Sequence, residues 1–240
     1  MITQNHNRLF KAEARPMSEN VIHRFHATFN PDGVKYSKET TFGTLTTLND
    51  ETIAAGESIT KNLPSSTLVM LIPLIGAIEC HFSENNPQIV IPGEAFTYYS
   101  KKESSLKIKN PYRENPVNFL YITFSATIPA EILLPKDFLI SQANFTVRNK
   151  FHKLFESFQN GLSTHIGIFG NGSQSAYSPT NKNNGIFAFV ISGIFEVQNN
   201  LIEERDGIAL RQGNEVTIKA LSENSILLLI ETPLNGYTTL

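Results

Sequence analysis

Residues 67–82 read Thr-Leu-Val-Met-Leu-Ile-Pro-Leu-Ile-Gly-Ala-Ile-Glu-Cys-His-Phe. The run is apolar at consecutive positions rather than at every second one, so as a strand it must be buried on both faces. Its apolar part, 68–78, is well short of the ~20 residues that span a bilayer. The same pattern returns at 186–196, Ile-Phe-Ala-Phe-Val-Ile-Ser-Gly-Ile-Phe-Glu. Gly76-Ala77-Ile78-Glu79 aligns with Gly193-Ile194-Phe195-Glu196 at an offset of 117 residues. Further on, Gly93 aligns with Gly207 at 114, Lys107-Ile108-Lys109 with Thr217-Ile218-Lys219 at 110, and Glu114-Asn115 with Glu223-Asn224 at 109. An offset that only shrinks is what two homologous halves give when the second has shorter hairpin loops.

The remaining apolar runs, 118–124 and 225–230, close each half in the same way. Turn-favouring residues are dense, with 23 Asn, 14 Gly and 12 Pro in 240 residues, which suits many short strands. The expected fold class is therefore all-β, two tandem antiparallel barrels packed face to face, since strands apolar on both sides need a second layer outside the barrel wall. The expected organisation is an N-terminal arm over 1–20, a first barrel over 21–125, a joint over 126–160 and a second barrel over 161–240. Inside the joint, Phe151, Leu154, Phe155, Phe158 and Leu162 have helical spacing, while 150–155 also alternates as an edge strand would.

Hydrophobic residues make up 40% and charged residues 18%, with a net charge of −2, so a soluble globular chain is expected and a nucleic-acid or polybasic membrane surface is not. The first residues carry no basic stretch followed by an apolar core, and a single cysteine excludes an intramolecular disulfide, so a reducing cytoplasm is the expected compartment. Cys80 reads as a small buried hydrophobe in a strand. No GxSxG elbow or phosphate loop is present, and Gly170-Asn171-Gly172-Ser173 reads as a tight turn. Glu203-Glu204-Arg205-Asp206 reads as a solvated turn. The aromatic and basic residues at Tyr98-Tyr99-Ser100-Lys101-Lys102 and Tyr112-Arg113 read as hairpin tips rather than a stacking platform for nucleic acid.

The order of strands, glycines and turns resembles a cupin, a small jelly-roll barrel. With HRFHATFN at 23–30, TTLNDETIAAG at 46–56, NPYRENPVNFLYI at 110–122 and NNGIFAFVISGIFEVQNNLIEERDGIAL at 183–210, the chain resembles the pirin-like bicupins, in the branch with a quercetinase C-terminal cupin. The resemblance runs from about residue 22 to residue 233. It implies a metal held by histidines and a glutamate at fixed distances after a glycine. Starting from Gly56, those positions fall on Asn62, Pro64 and Val69, and the fourth falls near Leu106. Pro64, Val69 and Leu106 have no coordinating side-chain atom, and Asn62 offers only a neutral carbonyl. In the second half the equivalents are Pro179, Asn181 and Ile186. The six histidines, His6, His23, His26, His81, His152 and His165, are scattered, and hydrogen bonds to backbone at the joint are the expected role of His23 and His26.

These readings favour a metal-free bicupin with no cofactor and no catalytic residues, binding a small apolar organic ligand or acting as a scaffold. Asn62, Pro64, Val69 and Leu106 are the expected pocket positions, with Asn62, Val69 and Leu106 converging inside the first barrel. A monomer with no nucleic-acid or membrane partner is expected. A metal-dependent oxygenase of the quercetin 2,3-dioxygenase type, or a protein-interaction module, are the alternatives that the resemblance implies.

Overall fold

The computed structural model describes residues 7–29, 41–82, 86–125, 134, 138–157, 161–211 and 215–234. In chain order its strands are β1 (Arg8–Phe10), β2 (Met17–Glu19), β3 (His23–Ala27), β4 (Leu45–Ile53), β5 (Ser58–Leu63), β6 (Thr67–Ile75), β7 (Ile78–His81), β8 (Gln88–Val90), β9 (Glu94–Ser100), β10 (Ser104–Lys109) and β11 (Val117–Ser125). They continue as β12 (Phe138–Gln142), β13 (His152–Ser157), β14 (Leu162–Phe169), β15 (Gln174–Tyr177), β16 (Asn184–Ser192), β17 (Phe195–Val197), β18 (Asn200–Ile202), β19 (Gly207–Leu210), β20 (Val216–Ala220) and β21 (Ser225–Pro233). One 3-10 turn at Ala12–Ala14 is the sole helical element among the described residues. No helix among them is long and apolar enough to cross a membrane.

The chain divides into two compact units, and both are two-sheet jelly rolls. The N-terminal barrel comprises Pro16–Thr41 and Leu45–Gln142. Its seven-stranded antiparallel sheet has the order β12-β9-β6-β11-β4-β3-β2, and its second sheet the order β5-β10-β7-β8. Alternate residues of the long run supply the core: Val69 and Leu71 of β6 pack with Phe96 and Phe119 of the same sheet and with Leu63, Cys80, Leu106 and Ile108 of the other. Leu68, Met70 and Ile72, on the alternate face of β6, are buried too, as the unbroken apolar run requires.

The second unit comprises Met1–Arg15, Phe42–Thr44 and Ala143–Leu240. Its sheets have the orders β1-β19-β16-β21-β14-β13 and β15-β20-β17-β18. The repeat is visible in the backbone, because Gly76 and Gly193 follow equivalent strands with φ of 74° and 84°, a conformation that costs glycine nothing. The residues that fit both a helix and a strand take the strand: β13 is the edge of the six-stranded sheet, paired with β14. The N-terminal arm holds more structure than its sequence suggests, since Arg8–Phe10 adds a strand to β19 of the C-terminal barrel.

Candidate functional site

The polar residues inside the N-terminal barrel start from β4. Across β11, Asn49, Glu51 and Ile53 lie opposite Tyr121, Phe119 and Val117, all members of the core, so all three point into the barrel. Across β3 the same residues lie opposite Ala27, Phe25 and His23. Lys61 of β5 lies opposite Leu106 of β10, which puts its side chain on the inner face of the second sheet. A carboxylate with no exposure thus sits between the two sheets, where it must be paired.

It is paired three times. Lys61 Nζ donates to Glu51 Oε1 at 2.7 Å, Asn49 Nδ2 donates to the same oxygen at 3.1 Å, and His23 Nε2 lies 2.9 Å from Oε2. Burial alone would raise the Glu51 pKa. The hydrogen bond from His23, and the charge and hydrogen bond of Lys61, outweigh it and hold the carboxyl below its ordinary value. An ionised carboxylate only accepts, so Nε2 of His23 carries the hydrogen and the Nδ1 lone pair is left open in the neutral ring. The ammonium of Lys61 lies 4.6 Å from the centroid of the Tyr121 ring and 5.6 Å from that of Phe25, and His23 stacks on Phe25 at 5.5 Å. The His23 and Lys61 side chains keep 13% and 20% of their exposure, so solvent reaches the cluster from their side. Behind them, buried Asn49 Oδ1 has no hydrogen-bond partner among the described residues. Leaving a polar atom buried in that way costs about 1–3 kcal/mol. From the back of β4, Asn118 Nδ2 donates to Asp50 Oδ1 at 2.6 Å and to the Glu51 carbonyl at 3.1 Å, which fixes the strand that carries the carboxylate.

The C-terminal barrel has its own buried carboxylate, Glu231. Its Oε1 accepts from the Thr180 amide and hydroxyl, from the Asn181 amide and from Asn184 Nδ2, and its Oε2 accepts from Tyr177 Oη at 2.7 Å. Burial opposes the charge, and these donors overcome it, so Glu231 is also held below its ordinary pKa. With every acceptor position filled, this carboxylate latches the 178–183 turn onto β21. His165, its ring 5.1 Å from that of Tyr177, is kept neutral by burial.

The expected pocket positions do not converge. Val69 and Leu106 lie in the core of the N-terminal barrel, but Asn62 and Pro64 are exposed. Asn62 pairs with Ser105, one residue out of phase with the Lys61–Leu106 pair, so Lys61 and Leu63 take the inner face. In the second barrel Ile186 is in the core and Asn181 is exposed. His23 bonds a carboxylate rather than backbone. The turn over 203–206 is not fully solvated: buried Asp206 accepts from Lys11 Nζ at 2.6 Å and from the Ala12 amide at 2.8 Å. Tyr98 packs on Phe82, and Tyr112 Oη accepts from the Ala77 amide, so neither ring is a free platform. Cys80 is buried in β7, and burial pushes its thiol pKa far up, which leaves it unreactive. What the sequence reading missed is Glu51 with Lys61. Its signal was phase, since a charged residue two places before core Ile53 on a strand shares that residue's face.

Two antiparallel jelly rolls in one chain define a bicupin. Residues 162–231 match the quercetinase C-terminal cupin domain family. The fold is similar to that of YhhW from Escherichia coli, with a TM-score of 0.82, 17% identity and coverage of 97% of this chain and 100% of that one. It is equally similar, at 17% identity and a TM-score of 0.82 over 95% of this chain and 99% of the other, to the bacterial pirin YhhW in complex with nickel(II). A quercetin 2,3-dioxygenase from Acinetobacter baumannii gives a TM-score of 0.70 at 13% identity, covering 98% of this chain and 81% of that one. No curated protein sequence matches the chain. The chain thus has the two-barrel fold of these structures, and residues 162–231 of its second half match the quercetinase-type C-terminal cupin. Among the described residues, the polar cluster of the N-terminal barrel does not fit a transition-metal ion. No group of three His, Cys, Asp or Glu side chains able to hold a metal occurs among the described residues, and the polar cluster of the N-terminal barrel includes a lysine cation.

Proposed function

We propose that this bicupin works without a transition metal and binds a small polar organic molecule at the Glu51 cluster of its N-terminal barrel. The observation that carries this reading is the exchange of donor types. The inner face of β5 presents Lys61 and Leu63 where a metal site would need imidazoles, and a lysine cation repels a metal ion while attracting an oxygen-rich ligand. The apolar ligand expected from the sequence has less support. Val69, Leu71, Phe96, Leu106 and Phe119 fill the core between the sheets without exposure, whereas His23 and Lys61 keep a route to solvent.

Elemental analysis of the dialysed protein tests the first half of the proposal. Less than about a tenth of an equivalent of Fe, Mn, Ni, Cu or Zn is expected, with no ring cleavage of flavonols; one retained equivalent, or chelator-sensitive cleavage, overturns it. A double substitution Asn62→His and Pro64→His is expected to create no metal site, because both side chains point out of the barrel. Thermal shift tests the second half, since a ligand at 100 times its Kd stabilises the folded state by about 2.7 kcal/mol. Small hydroxy- and oxo-carbonyl compounds are expected to raise Tm in the wild type and not in Lys61→Met.

A further inference from the structure

We infer that His23, held by Glu51, is a general base that removes a proton from a carbon next to a carbonyl, and that the site interconverts the keto and enol forms of a small α-oxo or α-hydroxy carbonyl compound. The inference rests on the metal-independent binding site proposed above and gives it a chemistry.

Three features of the cluster aim at the same species. The acceptor-only carboxylate of Glu51, 2.9 Å from Nε2, fixes the tautomer in which Nδ1 holds the lone pair of the neutral ring. The His23 ring keeps an exposed edge, so a substrate can reach it. Lys61, anchored 2.7 Å from the other oxygen of the same carboxylate and 4.6 Å from the Tyr121 ring centroid, adds to the cluster a positive charge of the sign an enolate oxygen requires. The lysine charge therefore favours the enolate over the starting ketone, the differential binding that lowers a barrier.

The step balances without a co-reactant. The C–H bond breaks, its electron pair forms the C=C bond as the carbonyl pair moves to oxygen, and the proton passes to Nδ1. The imidazolium donates from Nε2 to the Glu51 carboxylate, which stabilises its charge. Return of the proton to oxygen gives the enol, and return to carbon restores or moves the carbonyl. Glu51 is a positioning residue, since it touches the base and not the substrate. A cluster that merely pins β3, β4 and β5 together would need the contacts among Glu51, Lys61 and His23 but no solvent-accessible imidazole.

The test is solvent-deuterium exchange by the full chain, with pyruvate and, separately, dihydroxyacetone as probes, followed in D2O as loss of the C–H proton signals. Exchange about 100-fold above buffer is expected in the wild type, the scale of general base catalysis. His23→Gln is expected to fall to the buffer rate, and His23→Gly to recover with added imidazole, which a structural role would not produce. Glu51→Gln is expected to release the ring from its single tautomer, read in 15N–1H spectra of His23, while His152→Gln, a half-buried histidine outside the cluster, exchanges at the wild-type rate. Wild-type exchange no faster than buffer with both probes, or His23→Gln as active as the wild type, overturns the inference. If a probe raises Tm without exchange, the acid–base role fails and the binding site stands; if exchange tracks a stoichiometric metal, the metal-independent reading itself fails.

Discussion

Replacing Glu51 by glutamine keeps the side chain's shape and removes the charge that Lys61 and His23 pair with. Losing one partner of a fully buried ion pair costs about 3–5 kcal/mol, and the residual exposure of Lys61 lowers the expected loss to about 2–3 kcal/mol. That corresponds to a fall in Tm of roughly 4–12 °C for a chain of this size. The effect depends on pH in a definite direction. The folded Glu51 pKa lies below its ordinary value, near about 4.3 in an unfolded chain, so its contribution is complete above that value and is lost as the pH falls through the folded one. Urea midpoints of wild type and Glu51→Gln are therefore expected to differ most at neutral pH and to converge below about pH 4; a constant gap would mean that Glu51 stabilises by packing alone. The residue was present in the sequence as an unremarked member of Leu48-Asn49-Asp50-Glu51-Thr52-Ile53. Its burial was legible from its phase with Ile53, but its partner on β5 was not. The slip that put Asn62 inside the barrel hid Lys61, and one residue is enough to reverse every side chain of a strand.

At the scale of elements, the same repeat position is filled by glycine for two different reasons. Gly93 has φ of 94°, so its backbone conformation requires glycine. Gly207 opens β19 without a positive φ; a Cβ there would meet Phe187 Cζ at 2.6 Å. The Phe187 ring cannot swing away cheaply, because it is fully buried, 5.5 Å from Phe10 of β1 and 6.0 Å from Phe42. Gly207→Ala is expected to cost about 1–3 kcal/mol by overpacking, and Phe10→Ala about 3–5 kcal/mol by opening a cavity against the same ring. Because both act on Phe187, the double substitution should cost less than the sum, measurable by chemical denaturation; additivity would show that the arm and β19 do not share this packing. Alignment by offset matched the two glycines correctly and gave no access to the difference. Packing against β1 pairs residues about 200 positions apart, and a repeat within the chain carries no trace of it.

At the scale of the molecule, the repeat, the strand content and the two barrels were legible because each rests on local patterns: unbroken apolar runs, turn glycines and matching order. What the local patterns do not show is that the chain builds its C-terminal barrel from three separate segments. Residues 1–15 and Phe42–Thr44 belong with Ala143–Leu240, so a cut in the joint does not leave two complete barrels. In a fragment of 143–240, β19 loses its partner β1, Asp206 loses Lys11 and the Ala12 amide, and Phe187 loses two aromatic neighbours. Thr232 also loses the Thr44 amide and hydroxyl, which lie 3.0 and 2.7 Å from its Oγ1. An open strand edge beside exposed phenylalanine is a template for aggregation. The fragment alone is expected to be aggregated or to lack dispersed amide signals in NMR spectra. A peptide of residues 1–15 added in trans should raise its solubility, restoring one edge strand and the Asp206 contacts, whereas a peptide with Phe10→Ala and Lys11→Met should not. If the 143–240 fragment instead folds alone with the stability it has in the whole chain, the arm is an accessory, and the strand it adds contributes nothing that the barrel requires.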